Sequence, residues 1–186
     1  MMFMKVVTGV GSREVDEEGA KRVLEIAELL DKARYMLRSG GADGCDTLFE
    51  SRMGIKDIFL PWKNFNHHPS PYYQISEKAY AYAKTIHPYW GNLRDSVQKL
   101  HARNTYQVLG YDLNVPSDIL VCWTPDGCNS EKTSSSKTGG TRTAIVLADR
   151  NHIPIYNLKN DSDYFAIKEK LMKELEEEYG NVAKSI

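Results

Sequence analysis

The chain has 186 residues, of which 41% are hydrophobic and 26% charged, as is ordinary for a globular protein that folds around one sizeable core. Its formal net charge of −1 provides no global basic field to attract nucleic acid. Its three cysteines form no Cys-x-x-Cys pair and no apolar run reaches the roughly 18 residues that span a membrane, so we expect a cytoplasmic protein with reduced thiols, no metal site and no membrane partner.

Apolar runs that end in glycine or polar turns predict five strands along the chain. These strands cover residues 3–8, 35–37, 57–60, 117–123 and 153–156. Helical periodicity predicts helices over 16–33, 45–53, 73–86, 93–109, 140–150 and, at the C-terminus, 162–180. Asp16 is the expected N-cap of the first helix. The alternation predicts one Rossmann-like domain over 1–186, a three-layer α/β sandwich with a mostly parallel sheet, which begins with a strand rather than a signal peptide.

Glycine-rich or polar segments follow four of the predicted strands. They begin at Gly9, Ser39, Trp62 and Thr124. In parallel sheets the carboxyl ends of the strands meet at one edge, and ligands bind beyond that edge. We therefore expect these segments to converge on one site.

The first glycine-rich turn is Ser39-Gly40-Gly41-Ala42-Asp43-Gly44-Cys45-Asp46, between a predicted strand and a predicted helix. Free N–H groups at such a helix start bind phosphate, so Ser39 to Asp43 are candidate ligand contacts. Asp46 and Glu50 are four residues apart and share a helix face, where they would hold ribose hydroxyls or supply a general base. The alternative for Asp46 is that it caps or braces the turn.

A second candidate phosphate turn is Thr138-Gly139-Gly140-Thr141, which opens the helix predicted over 140–150. The alternative is a mobile turn after a Ser-rich loop. After the first strand, Gly9-Val10-Gly11-Ser12-Arg13 lacks the third glycine of the dinucleotide fingerprint, so no cofactor is predicted. Gly11, Ser12 and Arg13 remain candidate phosphate contacts, against the alternative of a tight turn with a surface arginine.

Aromatic and basic side chains supply further candidates. Trp62 or Trp123 would pack on a base, and Lys63 would meet a phosphate, although a plain loop with surface aromatics explains Trp62 and Lys63 equally well. Thr124 follows Trp123 at the same strand end. Arg103 and Asn104 lie on the helix predicted over 93–109 and either project into the pocket or only cap and solvate that helix.

Two other groups of residues carry weaker signals. His67 and His68 are adjacent but have no third ligand at useful spacing, so a metal is not expected there. Five tyrosines between residues 72 and 89 favour helix packing or a subunit interface over nucleic-acid stacking, which predicts a homo-oligomer.

Three of these segments, taken together, carry a family resemblance: Gly11-Ser12-Arg13, the 39–46 turn with Glu50, and Gly139-Gly140-Thr141 before the strand at Ile153. In this combination the chain resembles the SLOG superfamily, which includes the Smf/DprA DNA-processing proteins and the LOG phosphoribohydrolases. It is most similar to the small DprA-like proteins of phages and bacteria, also over residues 60–63, 102–104, 107–110 and 121–125. The resemblance covers most of the chain except the terminal helix, and it implies a Rossmann-like fold with a pocket for a nucleotide-like small molecule.

The resemblance leaves three functions to compare. The first is binding of a nucleotide or nucleotide-derived ligand, for sensing or sequestering. The second is LOG-like hydrolysis of a nucleotide N-glycosidic bond, but the LOG motif Pro-Gly-Gly-x-Gly-Thr-x-x-Glu has its catalytic glutamate where this chain has Ala144, so Glu50 or Asp46 would have to substitute. The third is DprA-like binding of single-stranded DNA with a recombinase, which the short chain and the charge balance do not favour. We therefore predict nucleotide binding.

Overall fold

The computed structural model describes the backbone of residues 4–184 and the side chains of residues 4–180. Strands and helices alternate over this range. The five strands are β1 (Val6–Gly11), β2 (Met36–Ser39), β3 (Lys56–Ile58), β4 (Ile119–Trp123) and β5 (Ile155–Asn157). The six α-helices are α1 (Glu17–Lys32), α2 (Cys45–Arg52), α3 (Glu77–Ile86), α4 (Asp95–Leu109), α5 (Arg142–Arg150) and α6 (Asp161–Lys184). Short 3₁₀ helices cover Phe65–His67, Trp90–Asn92 and Ser136–Thr141.

The five strands form one sheet in the order β3-β2-β1-β4-β5, and every neighbouring pair is parallel. The predicted Rossmann-like α/β fold with a parallel sheet is therefore confirmed. The chain winds outward from β1 to β3 and then crosses back to β4 and β5. The reversal leaves a crevice between β1 and β4 at the carboxyl edge, and ligands of open α/β sheets bind at such crevices.

Helices cover both faces of the sheet, because the central strands β1 and β4 have buried apolar side chains on both sides. On one face, Val121 and Trp123 of β4 join an apolar cluster with α1, α2 and α6. On the other face, Leu120 and Cys122 of the same strand join a cluster with α3, α4 and α5. The strand alternation thus decides which side chains of β4 can reach the layer formed by α4 and α5.

The element boundaries follow local capping. The Asp16 carboxylate accepts a hydrogen bond from the Gly19 N–H at 2.6 Å, which confirms it as the N-cap of α1. Helix α3 begins at Glu77, later than predicted, because the Ser76 hydroxyl caps it. Helix α6 continues through Gly180, which does not adopt the left-handed conformation that ends helices. The prediction of a strand from Phe3 falls partly outside the described residues, and β1 begins at Val6.

Candidate ligand-binding site

A cavity of about 750 Å³ opens beyond the carboxyl end of β1. Its walls are the loop after β1, the start of α2, one face of α4, and the segment from Ser135 into the first turn of α5. Residues 87–89, between α3 and α4, complete the rim. The volume lies in the range of roughly 300–1,000 Å³ that is typical of small-molecule sites.

The charged side chains of this cavity are mostly positive. Guanidinium groups come from three different elements: Arg13 after β1, Arg103 on α4 and Arg142 at the start of α5. Among the lining residues in the described part of the chain, Asp46 supplies the single carboxylate. Such a cavity attracts an anion, and arginine is well suited to phosphate because its planar fork donates two parallel hydrogen bonds.

Arg103 and its neighbour Asn104 connect the two glycine turns. Arg103 Nη1 donates to the carbonyls of Gly40 and Phe59, and its Nε donates to Asn104 Oδ1 at 2.8 Å. Asn104 Nδ2 in turn donates to the Gly140 carbonyl at 3.0 Å. Burial lowers the pKa of Arg103 to about 10, so the guanidinium stays charged at neutral pH. This chain of bonds fixes the distance between the 39–46 turn and the start of α5.

The anion that the first glycine turn holds is the protein's own Asp46. Its Oδ2 accepts a hydrogen bond from the Ala42 N–H at 3.3 Å, which is a donor that a bound phosphate would need. Burial raises the pKa of Asp46 to about 6, while the charge of Arg103 and the N–H groups of Ala42 and Gly40 act in the opposite direction. Asp46 therefore braces the turn, as the alternative from the sequence proposed, and also borders the cavity.

The second glycine turn is open toward the cavity. Gly139 has a φ of +64°, a conformation that favours glycine. Gly140 has no such backbone requirement, and a Cβ added at Gly139 or Gly140 would meet no atom within 4 Å. Because nothing in the described chain requires a glycine at 140, its backbone is free to be approached by a ligand at the start of α5, where helix N–H groups favour anions.

Asp126 holds the loop that leads into this turn. Its carboxylate accepts hydrogen bonds from the hydroxyls of Thr124, Ser135 and Thr138 and from the Cys128 N–H. Burial would raise the pKa of Asp126, but these hydrogen bonds outweigh it and hold the pKa at about 2. The negative charge is therefore permanent at neutral pH, and it anchors both ends of the 124–138 loop.

Two histidines face each other beside Arg142. The ring centroids of His87 and His101 are 4.9 Å apart, and His101 Nδ1 lies 2.7 Å from the Thr143 hydroxyl oxygen. Burial, together with the neighbouring positive charges, lowers the pKa of His101 to about 4, so this ring is neutral at pH 7. Arg142 itself is held by hydrogen bonds to the Ile86 carbonyl and the Ser134 hydroxyl. These two bonds connect the start of α5 to the end of α3 and to the loop before α5.

Comparisons with known proteins add one structural neighbour. No protein-family model and no curated protein matches the chain. A structure of DNA processing protein A from Helicobacter pylori, which binds single-stranded DNA, aligns with 94% of this chain and 81% of its own, at 14% identity and a TM-score of 0.40. A likeness of this size carries no conclusion about what this chain binds.

The structure brings together about half of the residues predicted for the site. Those that line the cavity are Gly11, Ser12, Arg13, Ala42, Asp46, Arg103, Asn104, Thr138, Gly139, Gly140 and Thr141. Those that do not line it are Ser39, Gly40, Gly41, Asp43, Glu50, Trp62, Lys63, Trp123 and Thr124. Across residues 4–184, no three metal-ligating side chains gather in one place, and none of the helices is both long and apolar enough to cross a membrane.

Glu50 lies one helical turn beyond Asp46, and α2 carries it away from the cavity. Its carboxylate contacts His68 Nε2 at 2.9 Å and Lys56 Nζ at 3.5 Å. Asp46 and Glu50 are four residues apart on α2, but only Asp46 lines the cavity. Glu50 instead links α2 to β3 and to the loop that follows it.

The two tryptophans also lie elsewhere. Trp123 is only 4% exposed and packs in the core against α1, where a Cβ on Gly19 would come within 2.5 Å of its indole nitrogen. Trp62 is partly exposed and packs edge-on against Phe65, at a centroid distance of 5.2 Å, in the loop after β3. The structure therefore does not bring either ring to the cavity as a surface for a base.

Several residues that line the cavity were not predicted from the sequence. They are His87, His101, Gln107, Arg142 and Thr143. His101 and Gln107 lie three residues before and after Asn104, which had been singled out, so helical spacing offered a signal for both. Arg142 directly follows the second glycine turn. His87 had no such signal, because only the packing of α3 against α4 brings it to the rim.

Proposed function

We propose that this protein binds a nucleotide or nucleotide-derived ligand in the cavity beyond β1, as a sensing or sequestering protein. The observation that carries the proposal is that Arg13, Arg103 and Arg142 line the same cavity as the start of α5, and that among the described lining residues Asp46 is the one carboxylate. The SLOG and DprA-like resemblance of the motifs supports the same function. From the composition and the tyrosine-rich segment of the sequence, we also propose a single cytoplasmic domain that forms a homo-oligomer.

In this proposal the phosphates lie at Gly139, Gly140 and Thr141. Arg13 is exposed and makes no side-chain hydrogen bond within the described residues, so its guanidinium is available to a ligand. Arg142 is already oriented by its bonds to the Ile86 carbonyl and Ser134. A phosphate held by two guanidinium groups and a helix start gains charge-assisted hydrogen bonds without rearranging the fold.

The test compares two glycine substitutions that the fold accepts equally. Gly140→Ala adds a methyl group to a residue that lines the cavity, and Gly91→Ala adds one to a residue of the Trp90–Asn92 turn that does not line it; neither Cβ meets a protein atom within 4 Å. We expect isothermal titration with the ribonucleoside mono- and diphosphates to show saturable binding by the wild type. Gly140→Ala should weaken it at least tenfold, and Gly91→Ala should leave it unchanged.

Two results would count against the proposal. If no nucleotide in the panel binds at millimolar concentration, the cavity does not serve this ligand class. If the two alanine variants bind alike, nucleotides bind elsewhere on the protein. A single-stranded oligonucleotide belongs in the same panel, since a steep loss of its affinity with added salt would point to the DNA-binding alternative instead.

Asp46 supports a second candidate function, hydrolysis of the N-glycosidic bond of a nucleotide. It is a buried carboxyl on the cavity wall, and burial raises its pKa to about 6, close to the value at which a carboxyl can both accept and donate a proton near neutral pH. It would activate the water that adds to the sugar carbon as the base leaves. Chromatography of nucleotides incubated with the protein should then show free base, and Asp46→Asn should abolish its release.

A further inference from the structure

Gln107 on α4 is a buried polar side chain that the fold itself does not use. It is 2% exposed and lines the cavity. Its backbone carbonyl accepts hydrogen bonds from Thr8 and Ser117, but its side-chain amide makes none within the described residues. Among the described residues, the fully buried side-chain atom without a partner is Arg38 Nε, so the amide atoms of Gln107 are accessible from the cavity that the residue lines. An accessible amide without a protein partner is available to a ligand.

The Gln107 amide and the Asp46 carboxylate both lie next to Gly40. A Cβ on Gly40 would come within 2.2 Å of Gln107 Nε2 and within 2.8 Å of both Asp46 Oδ2 and Arg103 Nη1. The three polar groups therefore surround the position that a side chain at residue 40 would occupy, so this residue must be glycine. Gln107 and Asp46 both border the cavity, whereas Arg103 Nη1 is already bonded to the Gly40 and Phe59 carbonyls.

We infer that Gln107 and Asp46 form a hydroxyl-binding subsite that recognises the ribose of the ligand and distinguishes it from deoxyribose. A carboxylate accepts a hydrogen bond from one hydroxyl, and an amide both donates to and accepts from a hydroxyl, so the pair matches a vicinal diol. The phosphate then lies at the other side of the cavity, at Gly140 and Arg142. This inference rests on the proposed nucleotide-binding function and adds its sugar specificity.

The test uses matched nucleotides, so that the base need not be known beforehand. Isothermal titration compares each of the four ribonucleoside 5′-monophosphates with its 2′-deoxy counterpart. We expect every ribonucleotide that binds to do so about tenfold or more tightly than its deoxy partner, because the deoxy compound leaves buried polar groups unpaired. Equal affinities within such a pair would overturn the inference but leave the proposed function standing. Absence of binding by all eight compounds would overturn both.

Gln107→Leu separates ligand recognition from a structural role. Since the amide makes no hydrogen bond to any residue that the structure describes, the variant should unfold at the same temperature as the wild type or higher. Its affinity for deoxynucleotides should stay within about twofold, while the preference for ribonucleotides falls to near one. A lower unfolding temperature, or an equal loss of affinity for both sugars, would contradict the assignment.

Thr105→Val serves as the matched control on the same helix. Thr105 is fully buried, does not line the cavity, and donates its hydroxyl hydrogen bond to the Ala102 carbonyl within α4. This variant should lose some stability and keep the full preference for ribonucleotides. Gln107→Leu should therefore lose the ribose preference and keep its stability, whereas Thr105→Val should lose stability and keep the preference. If Thr105→Val also loses the preference, the preference depends on the packing of α4 rather than on Gln107.

Discussion

Asp46 shows how one residue can stabilise a turn and still line a cavity. Its carboxylate uses the N–H groups of the first glycine turn, so this turn does not need an external anion. The side-chain amide of Gln107, close to Asp46, makes no hydrogen bond to another residue in the described part of the chain. At this end of the cavity, Asp46 is therefore largely hydrogen-bonded within the protein, whereas the Gln107 amide is available to a ligand.

The raised pKa of Asp46 has a measurable consequence for stability. The pKa rises from 3.8 to about 6 on folding, so between these pH values the folded chain holds a proton that the unfolded chain has released. The stability that Asp46 contributes is thus full below pH 4 and is lost as the pH rises through 6, with a slope of at most about 1.4 kcal/mol per pH unit. Chemical denaturation at several pH values should show this slope in the wild type, and Asp46→Asn should remove it. A slope of opposite sign, or one that Asp46→Asn retains, would show that Asp46 titrates normally.

At the scale of elements, the contact between α1 and β4 is close enough to require a glycine. A Cβ on Gly19 would lie 2.5 Å from the indole nitrogen of Trp123, whereas one on Gly180 in α6 would meet nothing within 4 Å. Alanine favours helices by up to about 1 kcal/mol over glycine. Gly19→Ala should nevertheless lower the free energy of unfolding by about 1–3 kcal/mol through overpacking, while Gly180→Ala should leave it unchanged or raise it. Urea denaturation measures both, and equal effects of the two variants would mean that Trp123 can move away.

The loop between β4 and α5 depends on Asp126. Asp126→Ala removes the acceptor for three hydroxyls and one backbone N–H, so we expect the free energy of unfolding to fall by about 1–3 kcal/mol. The amides of residues 135–141 should exchange faster with solvent, and nucleotide affinity should fall because the second glycine turn is no longer held. Hydrogen exchange that is unchanged at these amides would show that Asn104 alone fixes the turn.

The order of elements and the position of both glycine turns could be predicted from the sequence, because strand ends and glycine-rich helix starts are local signals. The contents of the cavity could be predicted only in part. Trp123 follows Cys122, so strand alternation turns its ring toward α1, away from the cavity. The placement of Glu50 could not be predicted either, because the packing of α2 sets the direction of the helix and carries Glu50 away from the cavity. Gln107 and His101 lie three residues from Asn104 on the same predicted helix, so helical spacing could have added both to the site.

At the scale of the whole molecule, positive charge is local rather than global. The formal net charge is −1, yet the cavity gathers three arginines against one carboxylate. The sheet topology accounts for part of this arrangement, because the segments that follow the neighbouring strands β1 and β4 both begin at the carboxyl edge. This local concentration of positive charge is the reason to expect a small anion as the ligand.

The most direct test of nucleotide binding is a titration followed by two-dimensional NMR of the backbone amides. On addition of the ribonucleotide that binds most tightly, we expect saturable shifts at Gly139, Gly140 and Thr141 and at residues 11–13, with the 62–68 loop unchanged. Shifts confined to that loop, where Trp62 and Lys63 lie, would place the ligand away from the cavity. The absence of any saturable shift at millimolar nucleotide would contradict the central claim.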